Sequence, residues 1–419
     1  MLYKIFKNCF ICRICGSKKL IKVFSNKPSP IGEAFIKKRK KDSTQKKYPI
    51  NVLMCNKCGL FQLSKIISPD VLYKKYLYYS KTSNDLLKHF RNFSKYLFVR
   101  FKIKKDDLIV DIGSNDGMLL NYFKNNECKV IGIEPSFLQS KVANKKGIRT
   151  LNSFFNEKTT KFILANNKKP KIITACNVIA NIDNLNALFK NIENLLAEDG
   201  IFVFESFYLL DLIKNNVFDF IYHEHLSLFG IKPIQYLCKL YKLELFDVQR
   251  IKTKGGSLRF FIRREKSDKI SYRMKKLIEE EKRFNLYSKK IFIKFRKDID
   301  QQKKYLITAL KKTVSINKNA RIIGFGASIS CITLIYDFGL ENKIKFLLDD
   351  NSLKHNWLSP GSNIKVINPK KFIFTENDVI LFLAWRFQKF FIKKHKKLFF
   401  KKNYKIFQLL PKFRALNIN

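Results

Sequence analysis

Histidine is scarce in this chain: five in 419 residues, two of them one residue apart in Tyr222-His223-Glu224-His225. Glycine is thin as well, 15 in all, against a usual share of about 7%. Any glycine cluster therefore marks a place where the backbone needs it. Acidic residues are outnumbered, 34 against 83 Lys plus Arg, for a formal net charge of +49. No apolar run approaches the roughly 20 residues of a membrane span; the longest, Val379 to Trp385, suits a buried strand. The N-terminus alternates charge with single apolar residues, which does not read as a secretory leader. Hydrophobic content of 46% with 40 Phe excludes a largely disordered protein. The length predicts two or three domains.

The charge has two readings. Dense cations suit nucleic acid, whose phosphates they neutralise. Here, however, lysines are spread almost evenly, with crowding only at Lys37–Lys41 and Lys393–Lys397. Arginine, the better bidentate phosphate reader, is the minor partner. The pattern favours a solvated basic surface with a small anionic substrate over nucleic-acid binding.

Short apolar runs alternate with helical stretches from Leu108 to about Arg264, the mark of parallel α/β architecture. The predicted strands are Leu108–Ile112, Lys129–Ile133, Lys171–Ala175 and Ile201–Glu205. A helix over Lys232–Tyr241 then leads to two antiparallel edge strands, Leu243–Ile251 and Ser257–Arg263. Residues 69–100 read as helical. Ser271–Ser315, charged and free of Gly and Pro, predicts one or two long linking helices. A second α/β unit follows, with strands Arg321–Phe325, Ile344–Leu348, Asp378–Leu383 and Tyr404–Leu409.

Two Cys-x-x-Cys-Gly knuckles, at Cys12, Cys15 and at Cys55, Cys58, stand near the N-terminus. That spacing lets both thiolates of a knuckle face one ion, and four thiolates close a tetrahedral shell with no open position. This predicts a structural Zn2+ site. Cys9 is a spare at the same spacing, expected to pack rather than ligate. Paired metal-type cysteines imply a reducing, cytoplasmic setting.

In Val110-Asp111-Ile112-Gly113-Ser114-Asn115-Asp116-Gly117, glycines directly follow an apolar strand, where absent side chains let a cofactor approach the backbone. The next strand ends in Glu134, an acid placed to accept both hydroxyls of an adenosyl ribose. In Tyr222–His225, a neutral imidazole is the natural general base at cellular pH. As strand neighbours, His223 and His225 would share a face, but no Asp or Cys at matching spacing completes a metal set. His223 reads as a satisfied structural residue, and His89, His355 and His395 as surface residues.

Cys-Arg-x-Cys-Gly, Ile-Gly-x-Asn-Asp-Gly, Gly-Ile-Glu-Pro-Ser, Ile-Tyr-His-Glu-His, Gly-Gly-Ser-Leu-Arg and Gly-Phe-Gly-Ala-Ser together resemble the sugar C-methyltransferase family, in order from about Cys12 to about Phe387. The resemblance implies an α/β enzyme of three parts. These are a zinc-binding module (1–66), a central class I methyltransferase, Rossmann-like domain with a leading helical segment (67–265), and a helical linker with a second Rossmann-like domain (266–419). It implies methyl transfer from S-adenosylmethionine to C3 of a nucleotide-linked, dTDP-type 4-keto-6-deoxy sugar. Position by position, Asp111, Gly113, Asn115, Gly117, Glu134 and Asn177 match cofactor-binding residues. His225 matches the general base, with Tyr222 and Glu224 beside it. Tyr76, Ser80 and Ser83 match a lid segment near the sugar nucleotide, with Tyr76 also a candidate oxyanion donor. Asn181 departs from the family pattern, which has histidine there.

The chemistry such a site needs is a base for an α-proton, a donor for the enolate oxygen and a methyl donor in line with the carbon. Tyr222 or Tyr76 would serve the oxygen, and Glu224 would fix a histidine tautomer or grip a sugar hydroxyl. Gly255-Gly256-Ser257 reads equally as an edge-strand turn and as a place where backbone approaches substrate, through Gly256 and Ser257. Gly324-Phe325-Gly326-Ala327-Ser328 with Asp349-Asp350 resembles half a nucleotide-binding fold, and Trp385 reads as core. The rival readings are a methyltransferase for an oxygen or non-sugar acceptor, and a zinc-ribbon nucleic-acid-binding protein.

Overall fold

A computed structural model describes residues 6–37, 45–73, 84–266, 269–399 and 404–416. The N-terminal region is built on three antiparallel strands, β1 (Leu20–Ser29), β2 (Tyr48–Cys55) and β3 (Phe61–Leu63). The expected lack of periodicity there hides a sheet, because β2 has its alternate residues Tyr48, Ile50, Val52 and Met54 buried.

The central sheet holds β4 (Leu108–Ile112), β5 (Lys129–Ile133), β6 (Thr150–Leu151), β7 (Ile172–Cys176) and β8 (Ile201–Phe207). A two-residue strand, β9 (Ser227–Leu228), leaves this unit and pairs with β3, completing the N-terminal sheet. The chain then returns with β10 (Leu243–Ile251) and β11 (Ser257–Arg264). The central order is β10-β11-β8-β7-β4-β5-β6, parallel from β8 to β6, with β11 antiparallel to both its neighbours. β4 and β8 are buried along their whole length, as strands covered by helices on both faces must be. The order reverses between β4 and β7, the place where open α/β sheets bind ligands.

The linking stretch is two helices, Tyr272–Arg283 and Lys289–Ile316, each capped by a serine, Ser271 and Ser288. The break between them is anchored by Glu281, which accepts hydrogen bonds from Tyr208, Tyr287 and the Ile231 amide. The C-terminal sheet contains β12 (Arg321–Phe325), β13 (Ile344–Leu348), β14 (Lys365–Ile367), β15 (Asp378–Phe382), β16 (Lys405–Gln408) and β17 (Arg414–Leu416). Its order is β14-β13-β12-β15-β16-β17. β6, β14 and β17 were not foreseen. Each is only two or three residues long and too short to show a period.

A buried ion pair joins the second and third parts. Arg386 donates to both oxygens of Asp219, at 3.0 and 2.8 Å, and Trp385 Nε1 adds a third bond at 3.2 Å. Asp219 is fully buried, and removing one partner of such a pair costs about 3–5 kcal/mol. Beside it, Phe218 stacks on Phe338.

Candidate active site and metal centre

The four knuckle cysteines converge: Sγ atoms of Cys12, Cys15, Cys55 and Cys58 all lie within 4.8 Å of one another. The shortest pairs are Cys12–Cys58 at 3.4 Å and Cys15–Cys55 at 3.5 Å. A tetrahedron with Zn–S bonds of about 2.3 Å has edges of about 3.8 Å, so the cluster fits the ion. Both knuckles close alike, with Gly16 N donating to Cys12 O and Gly59 N to Cys55 O, each at 3.0 Å. Both glycines have positive φ, 67° and 79°, which only glycine adopts freely. Cys9 stands apart, its thiol donating to the Ile11 carbonyl and accepting from Gln62.

Arg13, inside the first knuckle, reaches out of the module. Its guanidinium donates to the carbonyls of Leu226 (2.6 Å) and Leu63 (3.0 Å) and to Asp183 (3.2 Å). The Leu63 amide donates back to Leu226 O at 2.9 Å. The residue after His225 is therefore held by the zinc module.

At the carboxyl end of β4 opens a cavity of about 370 Å³, within the range of small-molecule sites. Asp111, Gly113, Asn115, Glu134 and Asn177 all line it. A Cβ at Gly113 would lie 2.3 Å from a Val178 methyl, and its φ is +71°; no other residue fits. Asp111 accepts from Thr174 Oγ1 at 2.7 Å, while burial raises its pKa to about 7. Glu134 accepts the amides of Asn115 (2.9 Å) and Ser136 (2.8 Å), one on each oxygen. Each oxygen keeps a further lone pair for an arriving hydroxyl. Burial raises this carboxyl above its ordinary value. Apolar walls from Leu119, Ile133 and Phe155 complete a slot that fits an adenosyl group. Gly117 does not line the cavity. It starts the helix Met118–Lys124 in a left-handed conformation, and a Cβ there would strike Ile148.

Tyr222, Glu224 and His225 are not in that lining. They cluster in a turn rather than a strand, Glu224 and His225 buried and Tyr222 half-buried, which removes the shared-face argument for a His-x-His metal pair. His225 Nδ1 is 2.6 Å from the Phe220 carbonyl. A carbonyl only accepts, so Nδ1 carries the hydrogen and Nε2 is left as the acceptor. Phe220, not Glu224, fixes the tautomer. The ring stacks on Tyr222 at 4.0 Å and lies 4.6 Å from Phe207. Burial, with Lys254 and Arg386 nearby, lowers its pKa to about 3 despite the Phe220 bond. Burial and the nearby Glu33 carboxylate push Glu224 up to about 8, and its Oε1 has no hydrogen-bond partner. His223 accords with a structural role: it bonds the Tyr48 carbonyl at 3.2 Å.

The surface reading of three histidines is corrected. His89 is not a surface residue: it bonds Glu205 at 2.7 Å, and Glu205 also pairs with Arg259. His395 is buried against Asp350 at 2.9 Å, and His355 is half-buried on the Asp349 carbonyl. At Gly256, the space a Cβ would take is filled by Asp211, 2.6 Å away, and Ser257 donates to Thr253 O; neither lines the cavity. Tyr76, Ser80 and Ser83 lie outside the described residues. Sequence reasoning missed Lys254, which lines the cavity but is one of many lysines.

Three family models match in chain order: a zinc binding domain over residues 12–73, a methyltransferase domain over 84–247, and a C-methyltransferase C-terminal domain over 252–411. The C-methyltransferase NovU of Streptomyces niveus is 26% identical over 378 residues, 90% of each chain. Among solved structures, the chain resembles a protein of Pyrococcus horikoshii (13% identity, 45% of this chain and 94% of that one, TM-score 0.37). It also resembles an S-adenosylmethionine-dependent methyltransferase of Clostridium acetobutylicum (16%, 43% and 92%, TM-score 0.32). Scores this low carry no weight beside the three ordered domain matches.

Proposed function

We propose that this chain, a member of the three-part S-adenosylmethionine-dependent C-methyltransferases with an N-terminal zinc module, methylates carbon beside a ketone of a nucleotide-linked 4-keto-6-deoxy sugar. S-adenosylmethionine, when bound, supplies a methyl group on a sulfonium that leaves as a neutral thioether. Asp111, Gly113, Asn115, Glu134 and Asn177 would hold it.

The observation that carries the reading is the His225 imidazole, neutral and with Nε2 as its acceptor. Burial keeps the ring neutral across the physiological range, so it is always available to take a proton. Its imidazolium is stabilised only when a negative charge forms close by, because opposite charges attract strongly in a low-dielectric site. Proton uptake and enolate formation are thereby coupled. The α-C–H bond breaks, its electron pair becomes the C=C bond, and the carbonyl π pair moves to oxygen. Glu224, with one oxygen unbonded, is suited to a sugar hydroxyl; burial favours its protonated form around neutral pH. Tyr222 is a candidate donor to the developing oxyanion, with Tyr76 a second.

The test is to mix enzyme, S-adenosylmethionine and dTDP-4-keto-6-deoxyglucose and follow C3 methylation by NMR. His225→Asn should lower turnover by about 10³-fold with cofactor affinity unchanged. Turnover as fast as wild type would remove the base assignment. A second reading, transfer to an oxygen acceptor, is favoured by Asn181, which lines the cavity where the family pattern has histidine. Exchange of the acceptor's α-hydrogen with deuterated water separates the two readings, since only carbon chemistry requires it.

A further inference from the structure

Lys254 is the one cation among the described residues lining the cavity. It sits in the short turn between β10 and β11, at φ 53° and ψ 27°, a left-handed conformation uncommon for a residue with a Cβ. Its side chain is open to the cavity, and no hydrogen bond or ion pair within the described residues holds its ammonium. Desolvation lowers its pKa to about 8; Cys176 and Glu205 act to raise it, Arg386 to lower it and Glu224 to raise it. These come from the ends of β7 and β8, the residues after β15, and the Tyr222 turn. His225 also feels the Lys254 charge. An unpaired ammonium on an exposed side chain at the cavity wall, within electrostatic reach of both the candidate base and Glu224, is placed to meet negative charge that develops on a bound acceptor.

We infer that Lys254 binds the anionic oxygen formed on the acceptor when its α-carbon loses a proton. This rests on the enolate reading above. The proton passes from the α-carbon to His225 Nε2, the carbonyl π pair moves onto the oxygen, and that oxygen pairs with the ammonium. When the new carbon–carbon bond forms, the pair returns to the carbonyl and the ammonium is free again. A preorganised charge at the place where negative charge develops is typically worth about 10²–10³ in rate.

The experiment uses full-length zinc-loaded enzyme and dTDP-4-keto-6-deoxyglucose. It follows deuterium wash-in at C3 with S-adenosylhomocysteine present, and methyl transfer with S-adenosylmethionine. Lys254→Met should slow both by about 10²-fold with S-adenosylmethionine affinity unchanged, and Lys254→Arg should restore at least a tenth of the rate. Lys254→Gly removes the charge and relieves the left-handed backbone; it should be as slow as Lys254→Met, whereas a rate recovered in the glycine variant would overturn the proposal. Because the ammonium is the working form, wild-type kcat should fall as pH rises through about 8. In Lys254→Arg that decline should move to higher pH. A rate that rises through pH 8 would make the free amine a base and overturn the inference. So would a Lys254→Met variant whose only defect is weak S-adenosylmethionine binding. If the wild type itself neither exchanges nor methylates the keto sugar, the functional reading falls instead, and the two failures are told apart.

Discussion

The molecule contains two glycine turns at the ends of first strands in two Rossmann-like sheets, and they have opposite fates. After β4, the turn at Gly113 opens onto a cavity, and the Glu134 carboxylate across it keeps lone pairs free. After β12, the turn at Gly326 is closed by the protein itself. A Cβ on Gly326 would lie 2.5 Å from Ala384, the Ala327 amide is taken by Asp349 at 2.7 Å, and the Ala327 carbonyl by Lys354 at 3.0 Å. The anion that such a strand-to-helix turn would attract is supplied by Asp349. The same local geometry therefore borders an open cavity in one sheet and serves internal cohesion in the other, and fold alone does not distinguish them.

The largest expected effect lies between the two sheets. Asp219→Ala leaves the largely buried Arg386 without its carboxylate, with only Ser330 still accepting from it, and should cost about 3–5 kcal/mol in denaturant unfolding, with the two halves then melting separately. A single unchanged transition would show that the sheets do not depend on this pair. Next come the turns. Gly113→Val should weaken S-adenosylmethionine binding at least about 10²-fold, while Gly326→Val should cost about 3 kcal/mol of stability and leave cofactor affinity intact by calorimetry. Equal losses of affinity would break the comparison.

The smallest effect is a pH dependence of opposite sign. Burial lifts Asp111 to about 7 and Glu224 to about 8, so the folded protein binds those protons more tightly than the unfolded chain. Their contribution is complete below the ordinary carboxylate range and is lost as pH rises through about 7 to 8. Asp350 is the reverse: although desolvation pushes it up, His395 and Lys394 hold it below its ordinary value. Its contribution is present at neutral pH and is lost on acidification. Melting temperature should therefore decline from pH 5 to 8, with a shallower slope in Glu224→Gln, while Asp350→Asn flattens only the acid side.

Much of the fold was legible because parallel strands buried on both faces are continuous apolar runs. β4, β5, β10, β12 and β13 have the predicted bounds. Linear reading could not show that Ser227–Leu228 would leave its own unit to pair with Phe61–Leu63, since such pairing depends on contacts distant in sequence. The glycine turn that opens onto the cavity and the thiolate set were visible through glycine and cysteine spacing. Lys254 was hidden by composition, for one cavity-lining lysine among many solvated ones has no distinguishing pattern. Whether a glycine turn is open or plugged was hidden too, since Ala384 and Asp349 lie far along the chain from Gly326.

Arg13 joins the thiolate knuckle to Leu226 O, next to the candidate base, and this gives the structural ion a second job. Stripping the metal with a chelator should silence turnover while the adenosyl slot still fills, because Gly113, Asn115 and Glu134 follow strands that Arg13 does not touch and its bond to the cavity wall is to Asp183 alone. The ion then works as an assembly checkpoint: a copy never loaded with metal would bind the methyl donor without being able to use it.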